Sequence, residues 1–135
     1  MPGWNSIALT VWLLLAVCLL PLALAALAKW GGGFKPADNA HPRQFLAGLS
    51  GWPARAQAAQ LNSYEGLPLL VGAVVMAQTL AVRQLVINEF LLLYLLLRLA
   101  YTGAYLANWP AVRSVLWLLG TLCPVVLLVL SAKGL

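Results

Sequence analysis

Four long runs of apolar residues dominate the 135-residue sequence and constrain its fold more than any other feature. The runs lie at about residues 7–28, 54–82, 89–107 and 111–132. A helix needs about 20 apolar residues to cross the hydrocarbon core of a bilayer. Charged residues make up only 8% of the chain, which excludes a disordered protein and disfavours a soluble globule. The sequence therefore predicts a multi-pass membrane protein.

The predicted fold is a single all-α domain over residues 1–135, an integral membrane four-helix bundle in up-down-up-down order. Only helices and closed barrels satisfy the backbone inside lipid, and these runs are too long and too uniformly apolar for barrel strands. The glycines, prolines and polar residues between Lys29 and Trp52 predict one long loop. The first run could also be a secretory signal peptide. We favour a retained span, because no basic side chain precedes the run and it exceeds the usual apolar region of about 7–15 residues.

The basic residues predict the orientation of the bundle. They concentrate in the first and third connections, at Lys29, Lys35, Arg43, Arg55 and Arg113, against Arg83 and Lys133 on the other side. The positive-inside rule then places the first and third loops in the cytoplasm and both termini outside. The net charge of +5 does not indicate a nucleic-acid partner, because the basic residues are scattered and mostly flank apolar runs.

Two charged residues, Glu65 and Arg98, lie deep within predicted spans. A charge there costs about 3 kcal/mol on insertion scales, so it normally has a partner. Counting along the helices places both residues at a similar depth, and the prediction is a buried ion pair. Its simplest role is structural, because polar contacts of this kind hold membrane helices in register.

Several polar side chains should converge on one end of the bundle. They are Arg55, Asn62, Glu65, Tyr101, Tyr105 and Arg113. Interfacial enrichment of tyrosine could account for Tyr105, and Arg113 could simply set topology, but neither explanation predicts the convergence. Arginines, an amide and tyrosines beside apolar surface suit a small polar anion. No metal site is predicted, and Cys18 and Cys123 are expected to be apolar packing residues.

The same residues resemble the signature of a known family. The stretch RAQAAQLNSYEGLP, from Arg55 to Pro68, is similar to the second helix of the membrane-associated proteins in eicosanoid and glutathione metabolism, the MAPEG family. RLAYTGAY, from Arg98 to Tyr105, followed by Arg113 and Ser114, resembles the later signature of that family. Residues 37–43 look like a version seen in bacterial members, which implies the bacterial inner membrane.

The resemblance implies a homotrimer that binds glutathione between subunits as a co-substrate. Arg113 would stabilise the glutathione thiolate, with Ser114 beside it as a possible thiol partner. The cofactor-binding residues would be Arg55, Asn62, Glu65, Arg98, Tyr101 and Tyr105. The implied activity is a glutathione transferase or peroxidase acting on a lipophilic electrophile that arrives through membrane lipid.

Two positions depart from the family pattern. Ala58 stands where members with glutathione chemistry often carry an arginine, and Gly66 stands where an aromatic residue often follows the glutamate. Both changes are expected to weaken glutathione binding. The alternative is therefore a non-enzymatic membrane protein on the same fold that binds lipids or other small molecules. A small transporter is disfavoured, because there is no inverted repeat and no pair of broken helices.

Overall fold

A computed structural model describes residues 3–135, and the helices in this range account for nearly all of it. The α-helices are α1 (Ile7–Gly32), α2 (Pro42–Ala47), α3 (Gly51–Thr79), α4 (Gln84–Leu106) and α5 (Pro110–Lys133), with a 3-10 turn at Pro36–Ala40. The described residues contain no strand, so the predicted all-helical class is confirmed. The four long helices correspond to the four predicted runs, and α2 is an additional short helix.

The segment predicted as one long loop is shorter and more ordered than expected. Helix α1 continues to Gly32. Gly33 caps it, with a φ of 74°, the left-handed conformation that glycine adopts without strain. The prolines do not break structure here. Pro36 begins the 3-10 turn and Pro42 begins α2, since a missing N–H costs nothing in a first helical turn. Phe45 of α2 then packs edge-on against Phe34, with 5.0 Å between the ring centroids.

Contacts between helix ends establish the up-down-up-down order. Trp30 at the end of α1 lies 6.1 Å from Trp52 at the start of α3, measured between ring centroids, so these helices are antiparallel. Four residues connect α3 to α4 and three connect α4 to α5. Connections this short join antiparallel neighbours. The end of the bundle where α4 finishes and α5 begins is called the Arg113 end below, and the opposite end is called the Asn88 end.

Three of the helices, α1, α4 and α5, are long and apolar enough to cross a membrane. Helix α3 is not among them, although its 29 residues span about 43 Å. Its first half carries Arg55, Asn62 and Glu65, which lower its mean hydropathy. The chain is therefore a membrane protein whose most polar long helix packs against three apolar ones.

A buried polar cluster closes the Asn88 end of the bundle. Asn88, at the start of α4, is fully buried, and its side-chain NH2 donates to the backbone carbonyls of Trp4, at 2.7 Å, and Ser6, at 3.0 Å. Its side-chain oxygen accepts hydrogen bonds from the Thr10 hydroxyl and, at 3.3 Å, from Gln84 Nε2. Both polar groups of the amide are thus satisfied, and the starts of α1 and α4 are tied together. Nothing in the apolar pattern of the sequence predicted this cluster.

Replacing Asn88 should destabilise the bundle more than any exposed asparagine does. Asn88→Ala leaves the Thr10 hydroxyl and two backbone carbonyls without their partner, so we expect a loss of about 2 kcal/mol in the free energy of unfolding. Denaturant titration in mixed micelles, followed by circular dichroism, measures this loss. The matched control is Asn39→Ala in the exposed 3-10 turn. Equal losses in the two variants would contradict a stabilising role for the cluster.

Candidate functional site

Arg98 is the most deeply buried charged residue described in the chain, with 4% of its surface exposed. It extends from α4 towards α3, where Nη1 donates to Asn62 Oδ1 at 3.0 Å and Nη2 donates to Ser63 Oγ at 2.9 Å. The third nitrogen, Nε, is buried without a hydrogen-bond partner. The guanidinium is therefore held by two neutral groups on consecutive residues, and one of its three nitrogens makes no hydrogen bond.

The predicted ion pair between Glu65 and Arg98 is wrong, because the side chain of Arg98 has other partners. Arg98 donates to Asn62 and Ser63, and Glu65 lies one turn further along α3 with its side chain exposed. The physical reason is the rotation of the helix. Asn62 and Ser63 sit where α3 faces α4, whereas Glu65 turns towards the outer surface of the bundle. Glu65 and Arg98 nevertheless line the same recess.

A row of contacts between guanidinium groups and tyrosine rings extends from Arg98 to the Arg113 end of the bundle. The guanidinium carbon of Arg98 lies 4.1 Å from the ring centroid of Tyr101. Tyr101 packs edge-on against Tyr105 at 5.6 Å, and the guanidinium carbon of Arg113 lies 4.3 Å from the centroid of the Tyr105 ring. Cation–π contacts of this length orient the guanidinium and retain its positive charge. The structure thus brings together Arg98, both tyrosines and Arg113, as the sequence spacing predicted.

Arg55 lies at the same end but has a specific backbone partner. Its Nε donates to the carbonyl oxygen of Leu106, the last residue of α4, at 3.2 Å. The final carbonyls of a helix lack partners within the helix, and a basic side chain there also interacts favourably with the helix dipole. Arg55 therefore caps α4 next to the site, and its two terminal nitrogens remain available.

Two neighbouring recesses of about 150 Å³ each lie between α3, α4 and α5. The first, called the Arg113 recess, is lined by Asn62, Tyr101, Arg113, Ser114 and Trp117. The second, called the Arg98 recess, is lined by Asn62, Glu65, Gly66, Tyr94, Arg98, Trp117, Gly120 and Thr121. Asn62 and Trp117 belong to both, so the recesses adjoin and form one polar cleft beside an apolar surface.

Ser114 contributes less than its position in the sequence suggests. Its hydroxyl donates to the carbonyl oxygen of Pro110 at 3.0 Å, within the first turn of α5. The hydroxyl proton is therefore engaged, although the oxygen can still accept a hydrogen bond. Arg113, which is half-buried in the same recess, is the stronger candidate for holding an anion.

Sequence reasoning missed three residues that line the cleft or support it from behind. Ser63 looked like a small helix residue, yet it is buried and accepts from Arg98. Trp117 had no predicted role, and Tyr94 was interpreted as a residue that could simply fill the core, yet both line the Arg98 recess. The sequence held no usable signal for Ser63, because a serine hydroxyl on a helix normally donates to the carbonyl four residues back, as Ser63 does to Ala59 at 2.9 Å.

Comparison with protein-family models gives one match, and it covers nearly the whole chain. The MAPEG family model matches residues 9–133, which include all five helices apart from the first two residues of α1. The chain belongs to the MAPEG family. The family resemblance seen in the sequence is thereby confirmed. Comparison with curated proteins and with solved structures gave no significant match.

Within this MAPEG protein, the partner of Arg98 can be tested by two substitutions on α3. Asn62→Ala leaves a buried guanidinium nitrogen unsatisfied, so we expect the free energy of unfolding to fall by about 1–3 kcal/mol. Glu65→Gln should change it by no more than about 0.5 kcal/mol, because Arg98 bonds to Asn62 and Ser63 and not to Glu65. Denaturant titration of the two variants in parallel provides the measurement. A loss of about 3–5 kcal/mol in Glu65→Gln would instead support the buried ion pair predicted from the sequence.

Proposed function

We propose that this protein is a membrane-embedded, glutathione-dependent transferase or peroxidase that acts on lipophilic electrophiles. The observation that carries the proposal is the Arg113 recess, in which a guanidinium, an amide and a phenol meet beside the exposed apolar surface of α5. A polar thiol can enter such a cleft from the aqueous side, and a lipid-soluble substrate can approach along the helix. Membership of the MAPEG family supports this class of activity.

Arg113 would activate the thiol. A free thiol has a pKa near 8.5, and an adjacent guanidinium lowers the pKa of the thiol by stabilising the thiolate. Tyr105 holds Arg113 by a cation–π contact at 4.3 Å, so the guanidinium is oriented before a ligand binds. The thiolate sulfur then attacks an electrophilic carbon and forms a carbon–sulfur bond, while a leaving group departs with its electron pair or the π bond of an activated alkene breaks. With a hydroperoxide, the sulfur attacks the terminal oxygen and the O–O bond breaks, which gives a sulfenic acid and an alkoxide that takes a proton from water.

The other predicted residues would hold the polar ends of glutathione. Asn62 and Tyr101 line the recess next to Arg113, and Glu65 offers a carboxylate to the amino group. The terminal nitrogens of Arg55 would pair with a carboxylate, while its Nε keeps the contact with Leu106. Arg98 would serve mainly to orient Asn62, to which it donates at 3.0 Å.

We further propose that the protein is a homotrimer in which neighbouring subunits complete each site. Each recess of about 150 Å³ is smaller than the pockets of roughly 300–1,000 Å³ in which small ligands usually bind. Glu65 is also exposed on a helix that packs among membrane spans, where a bare carboxylate is costly. A second subunit against α3 would enlarge the site and cover Glu65.

The proposed orientation follows the distribution of basic residues. Helix α3 would be the remaining span, with the first and third connections in the cytoplasm and both termini outside, in a bacterial inner membrane. The Arg113 end would then face the cytoplasm. Glutathione would reach the cleft from that side, and membrane lipid would surround the exposed apolar side chains.

A non-enzymatic lipid-binding role is the second candidate. It is favoured by Ala58, which is half-buried one helical turn before Asn62 and offers no cation to a ligand. The engaged proton of Ser114 also removes one donor from the cleft. This candidate predicts saturable lipid binding without thiol-dependent turnover.

Removing the guanidinium of Arg113 tests the proposal directly. Arg113→Ala should lower thiol-dependent turnover of a lipophilic electrophile by about a hundredfold, because the developing thiolate loses its main stabilising charge. The ultraviolet absorbance of bound thiolate should disappear in parallel. Arg83→Ala, at the Asn88 end, is the matched control. Undiminished turnover in Arg113→Ala would eliminate Arg113 as the activating residue.

Ala58→Arg tests whether the missing cation limits the affinity for glutathione. The new guanidinium would lie one turn before Asn62 and add a charge-assisted hydrogen bond, so we expect the Kd to fall about tenfold or more. Calorimetric titration in detergent measures the change, and Ala58→Gln controls for the added bulk. Equal affinity in the arginine and glutamine variants would show that the charge at this position does not reach the ligand.

A further inference from the structure

The side chain of Tyr94 on α4 reaches across to the backbone of α3 at Gly66. A Cβ atom placed on Gly66 would lie 2.8 Å from the hydroxyl oxygen of Tyr94, which is closer than real Cβ contacts allow. Position 66 must therefore lack a side chain for the hydroxyl to occupy its present place. The ring of Tyr94 is packed in the core, with 3% of the residue exposed. The glycine thus determines where the phenol can lie.

The hydroxyl of Tyr94 is positioned at the Arg98 recess. Tyr94 and Arg98 are separated by four residues on α4, so both project from the same face of the helix. Arg98 is more than nine-tenths buried and retains one nitrogen, Nε, without a hydrogen-bond partner. The recess therefore combines a phenol with a buried guanidinium.

The other groups around this recess restrict the ligand that would fit. Glu65 supplies a carboxylate, and Asn62 and Thr121 supply neutral polar groups. The volume of 150 Å³ accommodates a small polar head of a few heavy atoms. Donors on α4 and a carboxylate on α3 match an α-amino acid group, whose own carboxylate accepts and whose ammonium donates.

We propose that Tyr94 is a positioning residue whose hydroxyl binds the α-amino acid head of the thiol co-substrate, and that Gly66 provides the space for this contact. The inference rests on the proposed function. It assigns the γ-glutamyl end of glutathione to the Arg98 recess, with the sulfur towards Arg113. Gly66 thereby has a definite role, in place of the loss that its departure from the family pattern implied.

The test begins with Tyr94→Phe, which removes the hydroxyl and keeps the packed ring. The KM and Kd for glutathione should rise about tenfold, the loss expected for one hydrogen bond to a charged group, while kcat stays within about twofold. Cysteinylglycine, which lacks the γ-glutamyl group, should react equally well with the wild-type protein and the variant. A thermal unfolding scan shows whether the variant is folded.

A double-mutant cycle then tests the link to Gly66. Gly66→Ala should displace the hydroxyl and raise the KM to a similar extent, but it should add little in the Tyr94→Phe background. Gly72→Ala is the matched control, because a Cβ there meets nothing within 4 Å. Effects that multiply in the double variant would overturn the role of Gly66.

The possible results distinguish a failure of the Tyr94 assignment from a failure of the proposed function. If the wild-type protein binds glutathione and Tyr94→Phe leaves its KM unchanged, or weakens cysteinylglycine equally, the assignment of Tyr94 is overturned and the proposed function stands. If the wild-type protein neither binds nor turns over glutathione, the proposed function is overturned, and the assignment of Tyr94 is overturned with it.

Discussion

The arrangement of α3, α4 and the cleft depends on the burial of one guanidinium without an acidic partner. A buried arginine in a membrane bundle loses its hydration and must recover hydrogen bonds from the protein. Arg98 recovers two, from Asn62 and Ser63, and places its charged plane 4.1 Å from the Tyr101 ring. These contacts fix both the rotation and the register of α4 against α3. Every other residue of the cleft is positioned from that junction.

The bundle is held at two depths by different chemistry. At the Asn88 end, a neutral amide joins the starts of α1 and α4, and no charge is involved. The apolar cluster around Leu70, Leu91 and Leu127 fills the space between this amide and Arg98. Because lipid tails are as apolar as these side chains, hydrophobic packing alone distinguishes poorly between alternative registers. The two polar junctions supply the missing specificity.

Much of this architecture could be predicted from the sequence. The four apolar runs predicted the four long helices, and the spacing of Tyr101, Tyr105 and Arg113 predicted their convergence at one end. The partner of Arg98 could not be predicted in the same way. Asn62 and Glu65 are separated by about 60° around α3, and the tilt of one helix against another decides which of them faces α4. The Asn88 cluster was also missed, because its bonds join positions 78 and more residues apart.

The Asn88 cluster constrains how the chain is assembled in the bilayer. Thr10 and the carbonyls of Trp4 and Ser6 enter the membrane when only the first helix has been synthesised, and their partner follows 78 or more residues later. Until α4 is present, the hydrogen bonds that Asn88 makes to α1 cannot form. Insertion of α4 therefore completes the packing of α1. A chain truncated before α4 lacks the polar contacts that tie its first helix to the rest of the bundle.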